Sequence, residues 1–401
     1  MDLNTSLSKW VDTSHPHYRS SQIKDEIQRL HSLRVDISNA ICTSTSHAYA
    51  YDRNNNRTLS DLIEYHACLT ACTKRGFPAC GRDAKVNGTV DANLQFSWRG
   101  AFDKDGEGAL TEETKSHFNY EIICVLWNIA ALLTYKAATK YEWTTKEGLT
   151  LVKKDYETAA LIFKRIQELL KVANMKSDAV TSDLTNATLK MCQYMCLAQG
   201  QICLYEVLKQ KLNTSTTPAT YRIIAQIANG AANLYDNALK SSQEVEIKFN
   251  DSSKVYGSHF KSLSMLFKAR AEYLQSIVDR KSNEYGDEIA RLTRSSDMIN
   301  EAIDFTKSNG RQCLKMVVGP ACLGKTSLDV LKALRETVKQ RLTAALKENK
   351  TIYHEKITSD DKLPKIEPKD MISNNICNSS GGASDLPKEF MPESLTRPMF
   401  G

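Results

Sequence analysis

The chain has 401 residues, too many for one ordinary compact core and suited either to two domains or to a helical array that grows by adding repeats. With 41% hydrophobic and 25% charged residues it is not a mostly disordered chain, and only 9 prolines and 17 glycines exclude a collagen-like or turn-dense β architecture. The net charge of +6, from 53 basic and 47 acidic residues, is spread without a basic block. That argues against a nucleic-acid partner and leaves room for weak contact with acidic membrane surfaces.

In chain order, residues 22–34 and 59–72 predict two short amphipathic helices. Residues 77–87 are turn-rich. In 94–102 the apolar residues Phe96, Trp98 and Phe102 fall on alternate positions, which predicts an extended segment, and 104–114 reads as a Gly/acidic loop. From Asn119 the helices lengthen: 120–136, apolar nearly all round as in a central buried helix, then 148–173 and 184–211. Thr217-Pro218 is a helix start, with Thr as N-cap and Pro at the first position, for a helix running to about residue 245. Residues 255–278, 286–306 and 327–348 complete the series, and the short connections predict antiparallel neighbours. After Thr351 the chain becomes proline-spaced and extended, and 379–384 has flexible-linker composition.

Met1-Asp2-Leu3-Asn4 has neither a basic nor an apolar leader pattern, and the uncharged apolar run 122–135 falls short of the roughly 20 residues of a membrane span. A cytoplasmic chain is expected. Its 11 cysteines then read as small apolar core residues, because no CxxC knuckle marks a zinc site. The 8 histidines are scattered, His15 and His17 read as solvated, and no nucleophile–base pair carries a local signature. No metal, cofactor or catalytic residue is expected.

Gly319-Pro320-Ala321-Cys322-Leu323-Gly324-Lys325-Thr326 fits the phosphate-binding pattern G-x-x-x-x-G-K-[ST] in full. In a true P-loop, Lys325 would meet the β/γ-phosphates and Thr326 a magnesium ion. Such a loop needs a parallel sheet of several βαβ units around it, and the chain is helical on both sides. A Gly/Pro loop between two helices, capped by Thr326 or Ser327, is the plainer reading; a nucleotide-binding protein using Gly319, Gly324, Lys325 and Thr326 is the alternative.

Between Pro218 and Leu239, Ile224, Ala228, Ala231 and Tyr235 form one apolar stripe, and Ile223 and Ile227 form a second beside it. The extra width means either burial on two sides or an exposed apolar patch that accepts a partner helix. The preceding helix brings Leu204, Tyr205 and Leu208 toward the same region.

Five segments together resemble one family. Phe96-Ser97-Trp98-Arg99-Gly100-Ala101-Phe102-Asp103-Lys104 resembles the aromatic entry segment of BRO1 domains, and residues 120–132, from Tyr120-Glu121-Ile122 to Ala131-Leu132, resemble their central helix. Leu197-Ala198-Gln199-Gly200-Gln201 is similar to the family's LAQAQ helix. Gln275-Ser276-Ile277 followed by Tyr285-Gly286-Asp287-Glu288-Ile289-Ala290-Arg291-Leu292 resembles the next signature, and residues 347–355 the exit into an extended arm. They occur in the family's order and cover nearly the whole chain.

The resemblance implies a mainly α, elongated, boomerang-shaped BRO1 domain over residues 1–370, with a tetratricopeptide-like helical core and an extended C-terminal arm, followed by an extended or flexible tail, 371–401. It implies a non-enzymatic adaptor without cofactors, cytoplasmic and peripherally associated with endosomes. The partner it implies is the C-terminal amphipathic helix of an ESCRT-III (charged multivesicular body protein) filament subunit, in multivesicular-body sorting and membrane scission. Residue by residue, it places apolar partner-binding positions on Leu204, Ile223 and Ile227, and a position that is basic in the family on Val207. The 104–114 loop lacks the family's aromatic tip. A BRO1 signalling scaffold of the rhophilin type shares the fold with a different client.

Overall fold

The computed structural model describes residues 21–42, 55–74, 94–104, 110–172, 181–213, 216–244, 252–309 and 327–372. Among them are nine α-helices and one β-hairpin: α1 Ser21–Cys42, α2 Asn55–Lys74, β1 Phe96–Lys104, β2 Leu110–Lys115, α3 Phe118–Thr139, α4 Lys146–Val172, α5 Asn186–Gln210, α6 Pro218–Glu244, α7 Ser252–Lys281, α8 Tyr285–Ser308 and α9 Ser327–Glu348. The mainly α expectation holds. The described residues fall into two compact units, one holding those up to Tyr135 with Ile162–Thr185, the other Lys136–Leu161 and those from Asn186 onward.

In the first unit α1 runs well past the expected end at residue 34, because Ile37, 1% exposed, continues the stripe of Ile27, Leu30 and Leu33 by one turn. The expected loop at 104–114 is in part a strand. Leu110–Lys115 pairs antiparallel with β1, with Phe96 opposite Lys115 and Trp98 opposite Glu113. Cross-strand pairs on its exposed face include Ser97 Oγ to Thr114 Oγ1 at 2.7 Å and Arg99 to Glu112 at 3.5 Å, and an acidic, Thr-rich strand of this kind shows no apolar alternation.

Helix α3 is buried nearly all round, from Tyr120 through Ile123, Val125, Ile129 and Leu133 to Ala137. By length and composition alone it could cross a membrane, but such a helix buried among others is equally the core of a folded unit. Near its start the fully buried Glu121 carboxylate receives Tyr65 Oη at 2.8 Å, Trp98 Nε1 and the Arg34 guanidinium, so α1, α2 and β1 converge on one side chain. Burial pushes the Glu121 carboxyl up, opposed by the charge of Arg34. Trp127 meets Phe163 of α4 edge-on, ring centroids 5.2 Å apart.

In the second unit α5, α6, α7, α8 and α9 pack consecutively in chain order, the repeat-like stacking expected of a tetratricopeptide-type core. Tyr235 of α6 stacks on Phe260 and Phe267 of α7, and Gln199 Nε2 donates to its hydroxyl at 3.0 Å. The start of α6 is capped as expected, Thr217 Oγ1 accepting from Thr220 N at 3.3 Å with Pro218 at the first helical position. The end of α9 is tied to α7 and α8 by an ionic lattice: Arg280 and Arg341 each reach both Glu288 and Glu348, at 2.6–3.3 Å. Hydrogen bonds from Arg341 and Arg280 hold the Glu348 carboxyl below its usual range. A π-helical turn, Asn349–Tyr353, then ends at His354, whose φ of 55° turns the chain out of the helix into the arm.

Candidate partner-binding face

The two stripes read on α6 separate in the structure. Ile224, Ala228, Ala231 and Tyr235 are all 1% exposed or less and form the seam toward the neighbouring helices. The second stripe divides within itself. Ile223, in the first turns of α6, is 41% exposed, whereas Ile227, one turn on, is 2% exposed. On α5, Leu204, Val207 and Leu208 are half-buried. Of the four partner-binding positions implied by the resemblance, Ile223 therefore offers the most surface, Leu204 and Val207 offer part of theirs, and Ile227 lies underneath. Two cations stand close by in sequence: exposed Lys211, four residues after Val207, and exposed Arg222, next to Ile223.

What passes over α6 beyond Ile223 is the extended arm, residues 354–372. Its first part is strapped to α8: Gly286 N donates to Glu355 Oε2 at 2.8 Å, Thr358 Oγ1 to Asp287, and the Arg294 guanidinium holds both the side chain and the carbonyl of Asp360. Arg291, buried in α8, donates from Nε to Asp279 at 2.8 Å, from Nη1 to Glu272 at 2.8 Å and from Nη2 to the carbonyl of Pro364 at 2.7 Å. Burial pushes the Asp279 carboxyl up, while hydrogen bonding to Gln275 and the Arg291 charge hold it down.

The second part lies on α5 and α6. Asn229 Nδ2 donates to the carbonyl of Ile366, Gln201 Nε2 to the carbonyl of Lys369 at 2.6 Å, and Lys369 N to the carbonyl of Gln226 at 2.9 Å. Two helix glycines admit the arm: a Cβ on Gly230 would stand 2.4 Å from the Lys369 carbonyl oxygen, and one on Gly286 2.3 Å from that of Lys356. Sequence reasoning gave no role to Gln201, Asn229 or Gly230. The available signal was the helix glycines, since Gly inside a helix is unfavourable by about 1 kcal/mol and often marks a close approach.

Gly319, Gly324, Lys325 and Thr326 of the P-loop pattern lie outside the described residues, as does the tail from residue 373. No group of three or more metal-ligating side chains occurs among the described residues. Cys68, Cys72, Cys124, Cys192, Cys196 and Cys203 are buried.

Comparison with known proteins agrees with the fold. The chain is 26% identical over 306 residues to programmed cell death 6-interacting protein of Homo sapiens, a match covering 75% of this chain and 32% of that protein. It thus spans about a third of the length of that curated relative. The ALIX BRO1 domain solved in complex with CHMP4C shares the fold, with a TM-score of 0.71 at 23% identity over 92% of this chain and 90% of that one. A Bro1 domain solved to explain endosomal targeting does so at 0.67 and 17% identity, over 100% of this chain and 96% of that one. The family model of the BRO1-like domain matches residues 1–399. Matched over nearly its whole length and sharing the fold, the chain belongs to the BRO1-like domain family, a family of non-enzymatic adaptors.

Proposed function

We propose that the chain is an adaptor that binds the C-terminal amphipathic helix of an ESCRT-III filament subunit and acts in the cytoplasm at endosomal surfaces. One observation carries the reading: Ile223, a large aliphatic side chain, is left 41% exposed at the start of α6, with half-buried Leu204 and Val207 on α5, at positions for which the family resemblance implies a partner-binding role. An amphipathic helix laid here would bury its apolar face on these residues, and its acidic groups would find Lys211 and Arg222 where Val207 supplies no charge. The ALIX BRO1 domain in complex with CHMP4C is the parallel.

The test is a titration of the chain with an ESCRT-III C-terminal helix peptide, wild type beside Ile223→Asp. An aspartate there would bury an unpaired charge on binding, so affinity is expected to fall about tenfold or more, equivalent to at least about 1.4 kcal/mol. The exposed position should leave the fold intact. Wild-type affinity in a folded Ile223→Asp chain would move the partner to another surface. Ile227→Asp is not an equivalent probe, since at 2% exposure it is expected to lower stability first.

A further inference from the structure

The grip on the distal arm is made almost wholly of peptide groups. Gln201, 0% exposed, donates from Nε2 to the carbonyls of Ile227 at 3.2 Å and Lys369 at 2.6 Å, and accepts at Oε1 from Met371 N at 3.3 Å. Its amide therefore brackets residues 369–371 from one side as a neighbouring strand would. Asn229 takes the Ile366 carbonyl, and the Gln226 carbonyl takes the Lys369 N–H. The side chains of Lys365, Glu367, Lys369 and Met371 are meanwhile exposed. Of this stretch only Ile372 is fully buried; it packs on the bare Cα of Gly200, where a Cβ would stand 3.7 Å from it.

We infer that the α5–α6 face around Gln201, Asn229 and Gly230 is a site that reads the main chain of an extended peptide, filled in cis by residues 366–372 of the same chain. Its ligand chemistry is an extended segment with free N–H groups two residues apart, matched to Gln226 and Gln201, and an aliphatic residue directly after the second. Between the end anchors the site is indifferent to side chains, because every residue carries a carbonyl and every residue except proline an N–H. None of these contacts uses the side chains of Leu204, Val207 or Ile223.

The experiment compares amide hydrogen exchange, read by mass spectrometry on the full chain, in two paired variants. Lys369→Pro with Met371→Pro deletes both N–H donors, whereas Lys369→Ala with Met371→Ala deletes only the exposed side chains. The proline pair is expected to speed exchange across residues 363–372 by about tenfold or more, as losing one or two ordinary hydrogen bonds does, and the alanine pair to leave it within about twofold. Gln201→Met, close to isosteric, should reproduce the proline effect and decides the matter if the proline pair fails to fold. A fluorescent peptide of residues 363–372 should bind saturably to the released proline variant and not to wild type, and should still bind when its exposed positions are replaced. Equal loosening by the alanine pair, full protection in the proline pair, or a released chain that takes up no free peptide would each overturn the inference.

Discussion

Replacing Arg291 by alanine should destabilise the second unit more than any surface change. Its side chain is 3% exposed, and its three donors are committed to Asp279, Glu272 and the Pro364 carbonyl, which join α7, α8 and the arm. Breaking a buried pair by removing one partner typically costs about 3–5 kcal/mol, because the other charge stays buried. The two carboxylates do not suffer equally. Glu272 keeps Arg294 at 3.2 Å, whereas Asp279, 4% exposed, keeps only the neutral Gln275. The lower end, about 3 kcal/mol, is therefore expected near pH 7. Removing Arg291 also takes away a force that holds the burial-raised Asp279 pKa down, so the orphaned carboxyl protonates at a higher pH than in wild type. Once it is neutral the penalty shrinks, so the deficit should be smaller near pH 4.5 than near pH 7. Arg291→Lys, which keeps the charge but not the planar fork, should fall between. Urea unfolding followed by far-ultraviolet circular dichroism at both pH values measures this. A deficit below about 1 kcal/mol near pH 7, or one that grows on acidification, would refute the assignment of Arg291 as the ionic centre of this junction.

His259, 4% exposed in α7, has its pKa lowered by burial from 6.5 to about 4. A base with a depressed folded pKa contributes full stability above its unfolded pKa and loses it as the pH falls toward the folded one; here about 3 kcal/mol should disappear between pH 6.5 and 4. Stability curves of wild type and His259→Gln should converge across that window, and parallel curves would show that another group is responsible. Gly286→Ala should cost about 1–3 kcal/mol, since its Cβ would meet the Lys356 carbonyl oxygen at 2.3 Å and push the base of the arm off α8. Gly200→Ala, whose nearest neighbour would lie at 3.7 Å, should be neutral or stabilising by up to about 1 kcal/mol. Urea midpoints of the two alanine variants that moved together would contradict both expectations.

The helices were legible because each long one repeats apolar residues at helical spacing, and Thr217-Pro218 announced its own cap. The strand at Leu110–Lys115 was not, since Thr, Glu and Lys on a hairpin record cross-strand pairing rather than burial. On α6 the pattern identified an apolar surface wider than one seam but could not say which of its residues would be buried. Nor did it show the arm more than a hundred residues further along, whose contacts at Gln201 and Asn229 run through peptide groups that every sequence has. Buried ionic centres are silent for the same reason: nothing local to Arg291 or Glu121 records that its partners come from other helices. The resemblance singled out positions on α5 and α6, and the structure ranks them by access, Ile223 above Leu204 and Val207, and Ile227 last.

The Glu121 carboxylate also sets an order of assembly. Its three donors, Arg34, Tyr65 and Trp98, precede it by 87, 56 and 23 residues, so all three are synthesised, and emerge from the ribosome, before their acceptor does. Until that acceptor emerges, α1, α2 and β1 can collapse on apolar surface but lack the polar group that fixes their mutual register. Long loops must close to bring the earliest donor in, and contacts of such sequence separation form late. The first unit should accordingly lock only after the opening turns of α3 are made, and a released chain truncated just before Glu121 should leave the half-buried Trp98 indole more accessible to solvent quenchers than it is in the full chain.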